Sequence, residues 1–143
     1  MKILFLDIDG VVNSKESFKK GGMIREPYSE LDPYMAFMVG KIQLYTDCKV
    51  VLSSSWRHSF EAVQVLEKRI CKMFDKTPVI DGPHLRGDEI QEWLRNHPDV
   101  KRYAILDDDD DMLLEQLPNF FKTTWEHGLT EEIMNKVIAH LNA

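Results

Sequence analysis

Two kinds of apolar pattern alternate along the chain. Short continuous runs stand at Lys2 to Leu6, Lys49-Val50-Val51-Leu52 and Tyr103-Ala104-Ile105-Leu106, and each suits a buried strand. Phe120-Phe121-Lys122-Thr123 predicts a further strand, and Pro78-Val79-Ile80, closed by Asp81-Gly82-Pro83, a weaker one. Between these runs the spacing becomes helical. Pro33 opens a helix with Met35, Phe37, Met38, Ile42 and Tyr45 on one face. Phe60, Val63, Leu66, Ile70 and Met73 predict a helix over 59–75. Asp88 suits the cap of a helix through Ile90, Trp93 and Leu94 that stops before Pro98. Thr130 starts the last helix, with Ile133, Val137, Ile138 and Leu141 inward. Residues 13–32 turn polar, with Gly21-Gly22 and Pro27, and read as an irregular excursion.

Strands alternating with helices predict an α/β fold, a five-stranded parallel sheet with helices on both faces. Ligands of such sheets bind at the carboxyl ends of the strands, near the point where strand order reverses. Four of the five expected strand ends carry a small polar or acidic residue there: Asp7, Ser53, Asp81 and Asp107.

Composition sets the bounds. The 143 residues match one domain over 1–143, with 43% apolar and 29% charged residues, an ordinary globular balance. No apolar run is long enough to span a bilayer, and the stretch Met1 to Leu6 is cut at Asp7, too soon for a secretory signal. The expected compartment is the cytoplasm, with Cys48 and Cys71 as reduced thiols. Net charge is −6, but five of the acids are the consecutive run Asp107 to Asp111, and the rest of the chain is nearly balanced. The negative charge is local. A globally acidic chain is also a poor non-specific binder of nucleic acid, because that affinity comes from neutralising phosphates.

Asp7 and Asp9 follow a strand and precede Gly10, so alternation sets both carboxylates on one side with Ile8 turned into the core. Asp107 and Asp108 end a second strand. Where such ends meet, carboxylates repel, and a hard divalent cation such as magnesium relieves the crowding by taking oxygen ligands. The rest of the run, Asp109 to Asp111, is expected in a solvated loop or at the start of a short helix. An aspartate beside magnesium suits phosphoryl transfer through an aspartyl-phosphate, and a second carboxylate can move the proton. Ser53 and Ser54 offer hydroxyl and N–H donors to a phosphate, although three serines in a row equally suit a turn and a helix cap. Arg57 and Arg86 are the best-placed cations.

Asp7-Ile8-Asp9-Gly10-Val11-Val12, then Leu52-Ser53, then Ala104-Ile105-Leu106-Asp107-Asp108 resembles, over essentially the whole chain, the haloacid dehalogenase (HAD) superfamily of phosphohydrolases. The resemblance implies a doubly wound, Rossmann-like sheet. It implies Asp7 as nucleophile and metal ligand, Asp9 as acid/base and a metal ligand through its carbonyl, and Ser53 as phosphate ligand. Asp107 or Asp108 would complete the shell of a Mg2+ ion. The family's usual third-motif lysine is missing; Lys72 and Lys76 fall in the preceding helix or its exit. Arg86-Gly87-Asp88-Glu89-Ile90, followed by Trp93-Leu94, looks like the arginine variant of polynucleotide 3′-phosphatases. With Ser54-Ser55-Trp56-Arg57 and Gly128-Leu129-Thr130, it resembles the HAD domains of Swiss-army-knife RNA-repair proteins.

Between Val12 and Pro33 there is too little chain for a separately folded cap. An open site favours a large phosphorylated substrate, such as a polynucleotide end or a protein, and leaves small phosphates open. Lys15, Lys19, Lys20 and Arg25 lie in this excursion, within reach of a polyanion or on a solvated loop. Two rival readings remain. One is a receiver-like signalling domain, which needs Asp81 as phosphoacceptor. The other is a non-catalytic binding protein on the same fold.

Overall fold

The computed structural model describes residues 1–26 and 29–143, with the backbone alone at Ile24–Glu26 and Ser29. Pro27 lies outside the described residues, and so does the side chain of Arg25. Five strands form the main sheet: β1 (Lys2–Leu6), β4 (Lys49–Leu52), β5 (Met73–Lys76), β6 (Arg102–Asp107) and β7 (Phe120–Lys122). A two-stranded antiparallel ribbon, β2 (Ile24–Glu26) and β3 (Ser29–Leu31), stands apart. The helices are α1 (Lys15–Lys20), α2 (Pro33–Thr46), α3 (Phe60–Arg69), α4 (Arg86–Arg95) and α5 (Glu131–Asn142). The sheet order is β5-β4-β1-β6-β7 and every pairing is parallel. The chain moves outward from β1 through β4 to β5, then returns to β6 on the other side. The strand order therefore reverses beside β1, between Leu6 and Leu106.

Alternation along β1 builds two cores. Leu4, Leu6 and Ile8 join Met35, Met38, Val39 and Ile42 of α2 and Met134, Val137 and Leu141 of α5. Ile3 and Phe5 face the other way, with Val51, Ile105 and the Ile90 and Trp93 side chains of α4. Phe5 meets Trp93 edge-on at 5.4 Å. A strand wedged between two cores must be apolar at every position, which is why β1 reads as an unbroken run. Among the described residues, no helix is long and apolar enough to cross a membrane. Cys48 and Cys71 are free thiols, and burial pushes Cys71 up to about 12.

Several elements differ from expectation. The excursion contains α1, capped by the Ser14 side chain on the Ser17 N–H, and the β2–β3 ribbon. Six residues are too few for helical periodicity to register. Phe37 and Tyr45 are 59% and 58% exposed, because α2 is apolar on most sides and Met35, Met38 and Ile42 already occupy its inner face. The helix expected over 59–75 ends at Arg69, and Met73 opens β5 instead. That strand replaces the one expected at Pro78-Val79-Ile80. It is a mostly exposed edge strand, so it lacks an apolar run. Asp81 consequently lies well past a strand end and is exposed, which removes the acceptor that a receiver-like reading requires. Asp88 is not the cap of α4 but its third residue, where its Oδ2 accepts the Leu85 N–H at 2.8 Å.

Candidate active site

Strand register alone brings three candidate residues abreast. Leu6 pairs with Leu52 on one side and with Leu106 on the other, so the next residues, Ser53, Asp7 and Asp107, emerge together at the carboxyl ends. The Asp7 N–H donates to the Leu106 carbonyl and the Ser53 N–H to the Leu6 carbonyl, each at 3.0 Å. Alternation aims Asp7 to the side of Ile3 and Phe5, the side covered by α4, whose first residue is Arg86.

Oxygens of Asp7, Asp107 and Asp108 lie within 4.8 Å of one another. Burial first, then the Asp107 charge, pushes the Asp7 carboxyl up to about 8, while Arg86 pulls the other way. Burial likewise lifts Asp107 to about 6, opposed by the Asp109 N–H and by Arg86. Carboxyls raised by burial and by neighbouring charge are unstable as anions until a cation joins them. Three converging hard oxygens fit a divalent ion such as magnesium. Gly10 admits this arrangement with φ of +82°, which brings its backbone against Asp108.

Asp9 stands outside the triad. Its Oδ1 accepts the Asn13 Nδ2–H at 3.0 Å and its Oδ2 accepts the Trp56 indole N–H at 3.1 Å. Neither partner is signalled locally in the sequence, although Asn13 stands only four residues downstream. The Gly128-Leu129-Thr130 string holds this loop in place: the Leu129 N–H donates to the Val11 carbonyl at 2.9 Å. A Cβ on Gly128 would meet the Asn13 carbonyl oxygen at 3.0 Å.

The serines divide their roles. Ser53 Oγ is fully buried and has no protein partner, whereas Ser54 Oγ accepts the Trp56 N–H at 3.2 Å and caps the 3₁₀ turn Ser55–His58. The arginines divide as well. All five N–H groups of Arg57, a residue 4% exposed, are engaged by protein. They reach the carbonyls of Thr77, Ser53, Ser54 and Pro78 and the Glu89 carboxylate, the last at 2.5 Å. In this arrangement none of the five is left for a phosphate, the ligand expected of Arg57 from the sequence. Arg86 keeps its Nη1 buried without a partner, with its Nε 3.7 Å from Glu89 Oε1. Its charge acts on both Asp7 and Asp107.

Glu89 ties both arginines and His84 Nε2, at 3.2 Å, to one buried carboxylate. No sequence signal marks this hub, although Glu89 lies within Arg86-Gly87-Asp88-Glu89-Ile90. Asp111 is another departure. It is half-buried rather than solvated, and its carbonyl and Oδ2 accept the Gly87 and Arg86 N–H groups at 3.1 Å. Lys72 is exposed and lines a groove with Lys49, the first residue of β4, at the opposite end of the sheet. Lys76 Nζ, at the end of β5, reaches the Arg57 carbonyl at 3.4 Å. Grooves of about 560 Å³ beside α2, about 440 Å³ beside Thr77 and Pro78 and about 340 Å³ beside β5 include none of the three triad acids.

No curated protein matches the chain. Residues 3–134 match the family described as the HAD domain in Swiss Army Knife RNA repair proteins, and the chain belongs to that family.

Proposed function

We propose that this phosphatase-type domain is a magnesium-dependent phosphomonoester hydrolase that works through an aspartyl-phosphate on Asp7. The observation that carries the reading is a pair of buried donors without protein partners, Ser53 Oγ and Arg86 Nη1, bordering a triad of crowded carboxyls. Buried donors are ordinarily satisfied, so two left open at one strand-end crevice suit an anionic ligand with several oxygens. Membership of the family favours the same chemistry.

In this reading Asp7, Asp107 and Asp108 hold the metal, which offsets charge on the phosphoryl oxygens when bound. An Asp7 oxygen attacks phosphorus as the ester P–O bond breaks, and Asp9 gives its proton to the leaving oxygen. Asp9 then takes a proton from water, whose oxygen attacks phosphorus, and the Asp7–phosphorus bond breaks to release phosphate. Ser53 and Arg86 bind the phosphoryl oxygens throughout. The finer substrate reading is a phosphorylated polynucleotide end, supported by the description of the matching family.

Phosphate release with magnesium and with EDTA tests this, comparing para-nitrophenyl phosphate with a 3′-phosphorylated RNA oligonucleotide. Magnesium-dependent release that Asp7→Asn abolishes is expected, with a preference for the oligonucleotide. Release that survives Asp7→Asn would overturn the mechanism, and equal use of both substrates would overturn the polynucleotide assignment.

A further inference from the structure

Asp9 is gripped at both oxygens by residues from two different loops. Asn13 is 1% exposed, and three bonds lock its amide: Oδ1 accepts the Gly10 N–H at 2.9 Å, while Nδ2 donates to Asp9 Oδ1 at 3.0 Å and to the Glu30 carbonyl at 3.1 Å. Trp56 comes from the turn after β4, 47 positions away in sequence, and its ring packs against the larger core. Its backbone N–H is fixed by Ser54 Oγ, the neighbour of Ser53. The indole therefore joins the loop carrying Ser53 to the loop carrying Asp9. A carboxylate has about four lone-pair sites, so two remain for a proton in transit.

We infer that Asn13 and Trp56 are positioning residues, which fix the plane of the Asp9 carboxyl group so that the proton it carries on a remaining lone-pair site faces the leaving oxygen; this rests on the phosphatase reading above. A carboxylate free to rotate about its side-chain bonds would spend most of its time misaligned, and proton transfer depends on hydrogen-bond reach. A purely structural clamp would affect all substrates alike. A positioning clamp affects them in proportion to how much the leaving oxygen needs a proton. Para-nitrophenolate leaves without one, whereas an alkoxide does not.

The test is Trp56→Phe, which keeps the ring and removes the N–H, beside Asn13→Ala. On an alkyl phosphate, kcat/KM should fall roughly tenfold further than on para-nitrophenyl phosphate, with KM little changed. Asp9→Ala should show the same discrimination, more strongly. Equal losses on both substrates for Trp56→Phe, with discrimination retained by Asp9→Ala, would overturn the inference and leave the phosphatase reading intact. No discrimination even for Asp9→Ala would overturn the role of Asp9 itself, and the inference with it. A readout independent of turnover is the indole N–H resonance of Trp56, one of three tryptophans. It should shift and exchange faster with water in Asp9→Ala, and an unmoved signal would also overturn the inference.

Discussion

Gly10 and Asp108 share a space that a single methyl group would fill: a Cβ on Gly10 would lie 2.2 Å from Asp108 Oδ2. Gly10 also holds φ of +82°, a region that side chains resist. Gly10→Ala is therefore expected to cost at least about 1–3 kcal/mol in stability and to push Asp108 out of the acid triad. Denaturant unfolding and magnesium titration together check this. A variant of wild-type stability and metal affinity would contradict the packing.

Burial, with charge crowding beside it, gives Asp7 and Asp107 a pH signature in the metal-free protein. Both carboxyls are raised above the ordinary 3.8, to about 8 and about 6, so between these values the folded state holds protons that the unfolded chain has lost. Their favourable contribution is complete below the unfolded value and disappears as pH rises through the folded ones. In EDTA, Tm should fall from pH 5 to pH 8. Magnesium should restore it, and Asp7→Asn should flatten the dependence. Magnesium binding should release protons and tighten as pH rises over the same interval. Calorimetry in buffers of different ionisation enthalpy measures the proton count.

Arg86 and Lys72 compete for the role of the usual third-motif lysine, and their surroundings differ. Arg86→Ala should lower kcat/KM by about a hundredfold or more, the scale of losing a donor to developing charge. Lys72→Ala should leave turnover unchanged, since the side chain sits at the far end of the sheet. The reverse order in steady-state kinetics would reassign the cation.

Glu89 should matter more to stability than its surface chemistry suggests. Removing it strands the Arg57 guanidinium, 4% exposed, without its counter-charge. Glu89→Ala is expected to cost about 3–5 kcal/mol, the scale for breaking one partner from a buried ion pair. Arg57→Lys should not restore the wild-type midpoint, because an ammonium cannot make five bonds in a planar fork. Urea unfolding of both variants checks the two statements.

The parts of the molecule legible in the sequence are those whose environment is uniform along the chain. β1, β4 and β6 are buried on both faces or nearly so, and their apolar runs end where Asp7, Ser53 and Asp107 begin. Parallel register then brings these residues together without further instruction. β5 was illegible because an edge strand has little apolar signature, and shifting it also removed Asp81 from the crevice. The inner face of α2 was ambiguous because the helix carries apolar residues nearly all round. Partners such as Glu89 to Arg57, or Trp56 to Asp9, depend on meetings across 32 and 47 positions. No local spacing records them.

The acidic run also works as a spacer. Asp107 and Asp108 supply two of the triad carboxyls, and Asp111 holds the backbone N–H groups of Arg86 and Gly87. Between them, Asp109 and Asp110 are exposed. The same short loop thus helps to set the distance from the carboxylates to Arg86, whose charge acts on Asp7 and Asp107. The length of this loop therefore matters more to the site than the charge of its two exposed members. Substituting Asp109 or Asp110 should be tolerated, whereas inserting one residue would pull Arg86 away from the acid triad while leaving every side chain of the site intact.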